Sequence, residues 1–547
     1  MRLKSEKDGK LCDWKMIKMA GIVLTADRAL FTHYHGNDFF GFGLCMPYRL
    51  IPKILEYRLL APKIPVDGLR AKYAPYALGK VEASLLASGF SRENVVVTPP
   101  HMVGKAIDRD TEIVGVHVLD PKGLAPVSWT LKALSGGGMT CTELEFEKLI
   151  YEVKSLKEKY KFKVIVGGPG SWQLRGYEDK YGIDVLYEGE CEITFPLIVK
   201  KMLDGEEVPR YVQGESAPVD KIPLITTPSR NGLVQITIGC PRRCRFCNPT
   251  MWKFRSIPLV NIMKEVEFNL KNGIKNISFV TEDVLLYGAN GLQLNANAVK
   301  KLFKSTVSLA KKYGVSRKVG FSHVSCASAL VMKDTVKYIS EIEELSEDEP
   351  TFPQIGLESA SPRIVNKYFR GKVYPWKPED WPDILIETSK LFNDSYWYPC
   401  YTYIIGFPEA TPDDYIATIE LIDELKSEGF IGWTFPLLLI PMGGSMIERK
   451  KEVGFAYLSN LPEEAIDCMV AGWKLSVYNS RRLVSKLMKG GNPLISKIML
   501  RLAFRAIDAM EEWINGIGNG VEVINDVYSK VNIRSNWGLL RTILWHR

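Results

Sequence analysis

Along the first 220 residues, short apolar runs alternate with longer stretches in which apolar positions recur at helical spacing. "AGIVLTAD" (20–27), "NVVVTPP" (94–100), "EIVGVHVLD" (112–120), "FKVIVGGPG" (162–170) and "IDVLYEGE" (183–190) each read as a buried strand closed by turn residues. Between them, "ALGKVEASLLASG" (77–89) and "TELEFEKLIYEVKSLKEKY" (142–160) carry apolar residues on one helical face and charges on the other. Strands alternating with helices predict a parallel, doubly wound α/β sheet of Rossmann-like type. Ligands of such sheets lie at the carboxyl ends of the strands. Those ends carry Asp120-Pro-Lys-Gly, Gly167-Gly168-Pro-Gly and Glu188-Gly189-Glu190. Glycine there either lets the backbone approach a bulky ligand or simply turns the chain.

A strand, a loop and an amphipathic helix follow in "NGLVQITIGCPRRCRFCNPTMWKFRSIPLVNIMKEVEFNLKNG". After about residue 450 the strand–helix rhythm stops. The stretches 462–491 and 492–516 read as amphipathic helices rich in Lys and Arg, suited either to an anionic membrane surface or to packing on the preceding domain. The chain ends in aromatic and basic residues with no evident site.

Composition narrows the class without naming it. The 547 residues are 46% hydrophobic and 24% charged, as in globular proteins of two to four domains. A net charge of +8 is mild for this length and does not read as a nucleic-acid-binding signature. The first residues lack the apolar core of a signal peptide, and no run of 18 apolar residues suggests a membrane span. Seven of the ten cysteines are scattered, which fits a reducing cytoplasm.

The other three cysteines, Cys240, Cys244 and Cys247, fall within eight residues. Three thiolates on one loop suit three corners of a cubane iron–sulfur cluster and leave one iron open. Structural zinc asks for four closed ligands, and no second pair follows. A disulfide fails on the odd number. Arg242 and Arg243, between the cysteines, read as solvated surface charges. His33, His35 and Asp38 have spacing that permits a metal, although an aromatic loop covering a ligand or packing on the next domain is the simpler reading.

With Phe246 before the last cysteine, this loop resembles the signature of the radical SAM family. The resemblance implies a partial (β/α)6 TIM-like barrel, a [4Fe-4S] cluster held by the three cysteines, and S-adenosyl-L-methionine (SAM) on the open iron. It carries Glu282 of Thr281-Glu282-Asp283 to the position that holds the SAM amino group, with Thr in place of the family's Gly. It also carries Phe246, Glu358, Ser359 and Gly406 to SAM contacts.

The first domain resembles, over roughly residues 75–205, the cobalamin-binding domain that precedes many radical SAM cores, archaeal-type members included. That likeness assigns Asp120, Gly167, Gly168, Gly189 and Glu190 to cobalamin. Lys122 stands where cobalt-ligating relatives have histidine, and His117 lies within a strand as a core residue, so this motif supplies no ligand to cobalt. The implied organisation is residues 1–220 for cobalamin, 221–450 for the radical SAM core and 451–547 for a mostly helical end. The implied activity is C-methylation of an unactivated carbon; the alternative is cyclisation or carbon–carbon bond formation on an archaeal membrane lipid. Implied partners are SAM, an electron donor such as ferredoxin or flavodoxin, and a protein residue or isoprenoid lipid as substrate. The expected location is cytoplasmic or peripheral to the membrane.

Overall fold

β-branched and leucine side chains dominate the strands of the first 220 residues, and their period of two divides them between two helix layers. In β1 (Ile22–Ala26), Ile22 and Leu24 pack with Leu78 and Leu85 of α1 (Tyr76–Ala87), while Val23 packs with Phe146 and Leu149 of α2 (Cys141–Tyr160) on the other face. The remaining strands are β2 (Val95–Val97), β3 (Ile113–His117), β4 (Lys163–Gly167), β5 (Val185–Glu188) and β6 (Tyr211–Gln213). All are parallel, in the order β2-β1-β3-β4-β5-β6. All five expected strands are present. β6 was not expected, because "YVQ" is a short edge strand with a single buried residue, Val212. This computed structural model describes residues 21–487 other than Asn37 and Arg317, together with isolated positions between 494 and 511.

The second unit is a partial barrel. Strands β7 (Leu233–Gln235), β8 (Ser278–Val280) and β9 (Gly320–Phe321) form one parallel sheet, and β10 (Gln354–Glu358), β11 (Cys400–Ile405) and β12 (Trp433–Leu438) a second. A parallel bridge between His323 and Gln354 joins them into a six-strand wall. Strand alternation again sorts the side chains. The Tyr401 hydroxyl meets Ser389 of a surrounding helix at 2.8 Å, and that of Tyr403 donates to the Cys468 carbonyl at 2.8 Å. Thr402, between them, and Ile404, which follows, therefore face the barrel interior.

A long helix, α3 (Glu463–Leu487), closes the outside of β11 and β12. Thr434 donates to the Gly472 carbonyl at 2.6 Å, and Trp433 to Ser480 at 3.0 Å. Its buried face includes Ile466, Met469 and Trp473. That face packs on the barrel, which removes it as a membrane-facing surface. The helix expected over 492–516 and the basic, aromatic stretch after it lie outside the described residues, apart from single positions. Among the described residues no helix is long and apolar enough to cross a membrane.

The two units meet through buried polar contacts. Lys80 of α1 pairs with Glu265 at 2.6 Å, and the same carboxylate accepts from Tyr76 at 2.8 Å and from the Ile225 amide at 3.0 Å. The loop around His33–Asp38 docks here too: Asn231 donates to Asp38 at 2.8 Å, and Arg230 to the Thr32 carbonyl at 2.9 Å. Asp38 is thus engaged by Asn231, and among the described residues no group of three His, Cys, Asp or Glu could hold a metal ion.

Candidate functional site

The chain after β7 turns sharply into the cysteine loop. Gly239 has φ +73°, and a Cβ there would lie 2.6 Å from the Trp252 carbonyl, so only glycine fits. The loop then holds its own shape. The Cys240 amide donates to the Pro249 carbonyl at 3.1 Å, the Cys247 amide to the Cys244 carbonyl at 3.2 Å, and Thr250 donates to the carbonyls of Cys244 (3.0 Å) and Cys247 (2.8 Å). All three thiols are free, with Cys240 and Cys244 buried and Cys247 half-buried.

Burial and mutual repulsion raise these thiols together. Burial pushes Cys244 up to about 12, with Cys240 adding to the effect. Burial, Glu282 and the other two thiols push Cys247 well above its ordinary range. Three thiols on one loop that oppose each other's ionisation form a site completed by positive charge, as an iron–sulfur cluster provides. Among the described residues no group of three His, Cys, Asp or Glu is placed to hold a single metal ion; a cubane takes its thiolates spaced around the cluster. The residues present fit that group.

Around the loop, the structure assembles several of the residues marked in the sequence. Glu282 is exposed, unpaired among the described residues, and close enough to Cys240 and Cys247 to affect their ionisation. Glu358 ends β10 at φ +66°, buried, and forms an ion pair with Lys372. Ser359 is buried and accepts from the Ser361 amide at 3.2 Å. The Phe246 ring packs against Phe407 with centroids 5.8 Å apart and against Phe369 at 6.2 Å. Gly406 has φ +93° with Ala456 against it, at the turn after β11.

Two site features escaped the sequence. Arg242 is 5% exposed rather than a solvated surface charge, and it donates to Asp283 at 2.9 Å and to Ser328 at 2.5 Å. It also donates to the Lys372 carbonyl at 2.9 Å. A buried guanidinium is costly without such partners, all of them distant in the chain and invisible to local reading. Lys372 is the second. Burial opposes its charge, but Glu358 and Cys244 outweigh this and hold it above the ordinary lysine range. Farther along the same rim, His323 Nδ1 and Ser325 Oγ are buried without hydrogen-bond partners.

The residues assigned to cobalamin divide. Glu190 forms an ion pair with Arg255 and accepts from the Ala217 amide at 3.0 Å, which makes it a bracket between sheet and barrel rather than an open ligand. Asp120 Oδ1 accepts from the amides of Leu124 and Ala125 at 2.8 Å each, shaping the loop after β3. A Cβ on Gly168 would lie 2.4 Å from the Val118 carbonyl, and one on Gly189 2.6 Å from Gln213, so both glycines admit the chain's own atoms. Gly167 faces Tyr187 in the same way. Lys122 is drawn into an ion pair with Glu143 at 2.5 Å, away from any ligating position. His117 ends β3, half-buried, its ring beside Gly168; burial lowers it to about 4. Two observations favour a large ligand at this edge. Asp120 Oδ2 is buried with no partner, and beside it Leu119 is 49% exposed at the strand end. A ligand with amide donors and an apolar ring would satisfy both.

Residues 234–422, which include the strands of the partial barrel up to β11 and the three-cysteine loop after its first strand, match the radical SAM superfamily. The chain is 24% identical over 288 residues to the tRNA-2-methylthio-N(6)-dimethylallyladenosine synthase of Thermotoga petrophila, covering 50% of this chain and 58% of that protein. It is 23% identical over 248 residues to the ribosomal protein uS12 methylthiotransferase RimO of Bordetella pertussis, covering 40% and 51%. The chain thus spans little more than half the length of these relatives. Among solved structures, it is similar to the radical SAM methyltransferase TsrM of Kitasatospora setae. With tryptophan and a SAM analogue bound, TsrM superposes with TM-score 0.52 and 14% identity over 79% of this chain and 76% of that one. With cobalamin and a [4Fe-4S] cluster bound, the TM-score is 0.50, again at 14% identity, over 79% and 75%.

Proposed function

We propose that this chain is a cobalamin-dependent radical SAM enzyme that methylates an unactivated carbon. The observation that carries the reading is the way the sheet's ligand-binding edge meets the barrel. The segments after β3, β4 and β5 contact the barrel through the Leu438 amide, which donates to Thr130 on the helix Pro126–Leu134 at 2.9 Å, through Arg175 with Glu448 at 3.5 Å, and through Glu190 with Arg255. Arg255 lies on the short strand paired with Thr237-Ile238, immediately before the cysteine loop. A cofactor on the sheet edge would therefore face the cluster end of the barrel. TsrM, a methyltransferase of similar fold, holds both groups.

When bound, the cluster and SAM supply a carbon radical and cobalamin supplies a methyl carrier; the protein supplies placement and shelter. Cys240, Cys244 and Cys247 would hold the cluster, and Glu282 would accept the ammonium of SAM at the exposed rim. Glu358 and Ser359 would meet its sugar and carboxylate side, with Lys372 fixing Glu358. Phe246 and its aromatic neighbours exclude water from the loop. Asp120, Leu119 and the backbone at Gly167 and Gly168 would line the cobalamin edge, with no side chain from the Asp120–Gly123 loop reaching cobalt.

The test follows the fate of SAM. Reconstituted protein, reductant and an extract of the expressing cells should release both 5′-deoxyadenosine and S-adenosylhomocysteine, and a product heavier by one CH2. Deoxyadenosine without homocysteine product would overturn methyl transfer. A gain of sulfur as well as CH2 would point instead to the methylthiolation chemistry of the curated relatives.

A further inference from the structure

A cavity of about 230 Å³ opens where the chain leaves the carboxyl ends of β1 and β2, against α2. Those two strands form one flank of the first sheet, whereas the residues assigned to cobalamin follow β3, β4 and β5. The local sequence builds its walls. Asp27 caps the short helix Arg28–Phe31, which places Arg28 and Phe31 about one turn apart. Pro99 and Pro100 follow β2 and have no N–H to extend the ladder. On α2, Glu145, Lys148, Leu149 and Glu152 recur at helical spacing and share one face.

Its buried lining residues are apolar except for Glu145: Phe31, Ile64, Pro99 and Leu149. Its exposed lining residues are charged or titratable: Lys63, His101, Lys148 and Glu152. Lys148 and Glu145 pair with each other. Arg28, half-buried, lies with its guanidinium 4.2 Å from the centre of the Tyr57 ring and donates to the carbonyls of Ala61 (2.5 Å) and Tyr57 (3.0 Å). These bonds fix the group without neutralising it. Arg28, Lys63 and His101 form no ion pair among the described residues. Burial, Lys63 and Arg28 hold the His101 imidazole below its ordinary range, which places the three groups within reach of one another. Glu56, close enough to act on Arg28, is raised by burial to about 7 and supplies only part of a countercharge. Burial also raises Glu152, the remaining acid of the lining.

We propose that this cavity binds a small organic acid with an apolar body, at a site separate from the cluster and from the cobalamin edge. The carboxylate sits beside Lys63 and His101 with Arg28 in the wall, and the apolar part covers Phe31, Leu149 and Pro99. An anion in a partly enclosed site lined by unpaired cations meets a stronger field than it does in water. The volume is below the roughly 300–1,000 Å³ of drug-sized pockets, so the ligand is small. Glu145 and Glu152 in the same lining disfavour a ligand of several negative charges, such as a nucleotide. A single carboxylate on an apolar body matches both the buried and the exposed parts of the wall.

The test titrates the reconstituted full chain with two probes of one shape and opposite charge, 3-phenylpropionate and 3-phenylpropylamine, and reads binding by saturation-transfer NMR. The acid should bind at least about tenfold more tightly than the amine at low salt. Lys63→Glu with His101→Glu, both at exposed positions, should weaken the acid about tenfold or more while the far-ultraviolet circular dichroism stays that of the wild type. Should the double variant fold poorly, Lys63→Gln alone carries the same test with a loss of about threefold. Added hydroxocobalamin should leave the acid bound. Absence of acid binding, equal binding of the amine, or unchanged acid binding in the charge variants would each overturn the proposal. Displacement of the acid by hydroxocobalamin would overturn it too, because the probe would then occupy the cofactor's own edge.

Discussion

Arg242, between two cysteines of the loop, donates to the buried carboxylate of Asp283 at 2.9 Å. The pair ties the cysteine loop to the end of the neighbouring strand, one residue after Glu282. Removing the guanidinium leaves a buried acid that keeps only its bonds to Ser328 and the Leu285 amide. Arg242→Met should lower stability by about 3–5 kcal/mol, measured by denaturant unfolding of the apo chain. The double variant Arg242→Met, Asp283→Asn should recover a good part of that loss, because it removes the orphaned charge. No recovery would mean that the pair acts through something other than charge.

Single Cys→Ala changes at Cys240, Cys244 or Cys247 should each abolish the visible absorption of a reconstituted cluster and leave far-ultraviolet circular dichroism intact. Cys400→Ala, at the start of β11, should leave the absorption in place. Cys400 is free and the notable difference is position: it belongs to a strand, away from the loop.

Much of this centre was legible because its signals are local. The CxxxCxxC spacing and the strand before it lie within about fifteen residues of the chain. Five strands of the first sheet were equally legible, since a run such as "KVIVG" buried on both faces has few other uses. Arg242, Lys372 and Glu190 were not, because their roles depend on partners 41, 14 and 65 residues away. Glycines gave a mixed signal. Gly168 and Gly189 stand at strand ends as a ligand-binding sheet requires, yet their missing side chains make room for Val118 and Gln213.

Glu282 and Lys372 should separate binding from folding. Glu282 is exposed and unpaired among the described residues, so Glu282→Gln should leave cluster content unchanged and weaken SAM binding about tenfold, near the worth of one charge-assisted hydrogen bond. Anaerobic calorimetry of the reconstituted chain measures it. Lys372→Met strands the buried Glu358, so it should reduce both stability and cluster retention, and adding Glu358→Gln should restore stability.

Asp27 sets a pH dependence. It caps a short helix by accepting from the Leu30 amide at 3.0 Å, it is 4% exposed, and burial raises it from 3.8 to about 7. A carboxyl raised on folding stabilises the protein fully below its unfolded value, and that contribution is lost as pH rises from about 4 to about 7. The rise corresponds to roughly 4 kcal/mol at most. Asp27→Asn keeps a good cap and should flatten the fall in stability between about pH 5 and pH 8. Urea midpoints at the two pH values decide it; parallel curves for wild type and variant would contradict the assignment.

The central claim is that one chain holds both an open iron–sulfur cluster and cobalamin. The most direct measurement is anaerobic reconstitution with iron, sulfide and hydroxocobalamin, then desalting and analysis of iron, cobalt and the visible spectrum. The account predicts that cluster and cobalamin are retained together, with cobalt equal to one per chain and lost when Asp120 and Leu119 are replaced. Retention of the cluster with cobalt in the flow-through would contradict it.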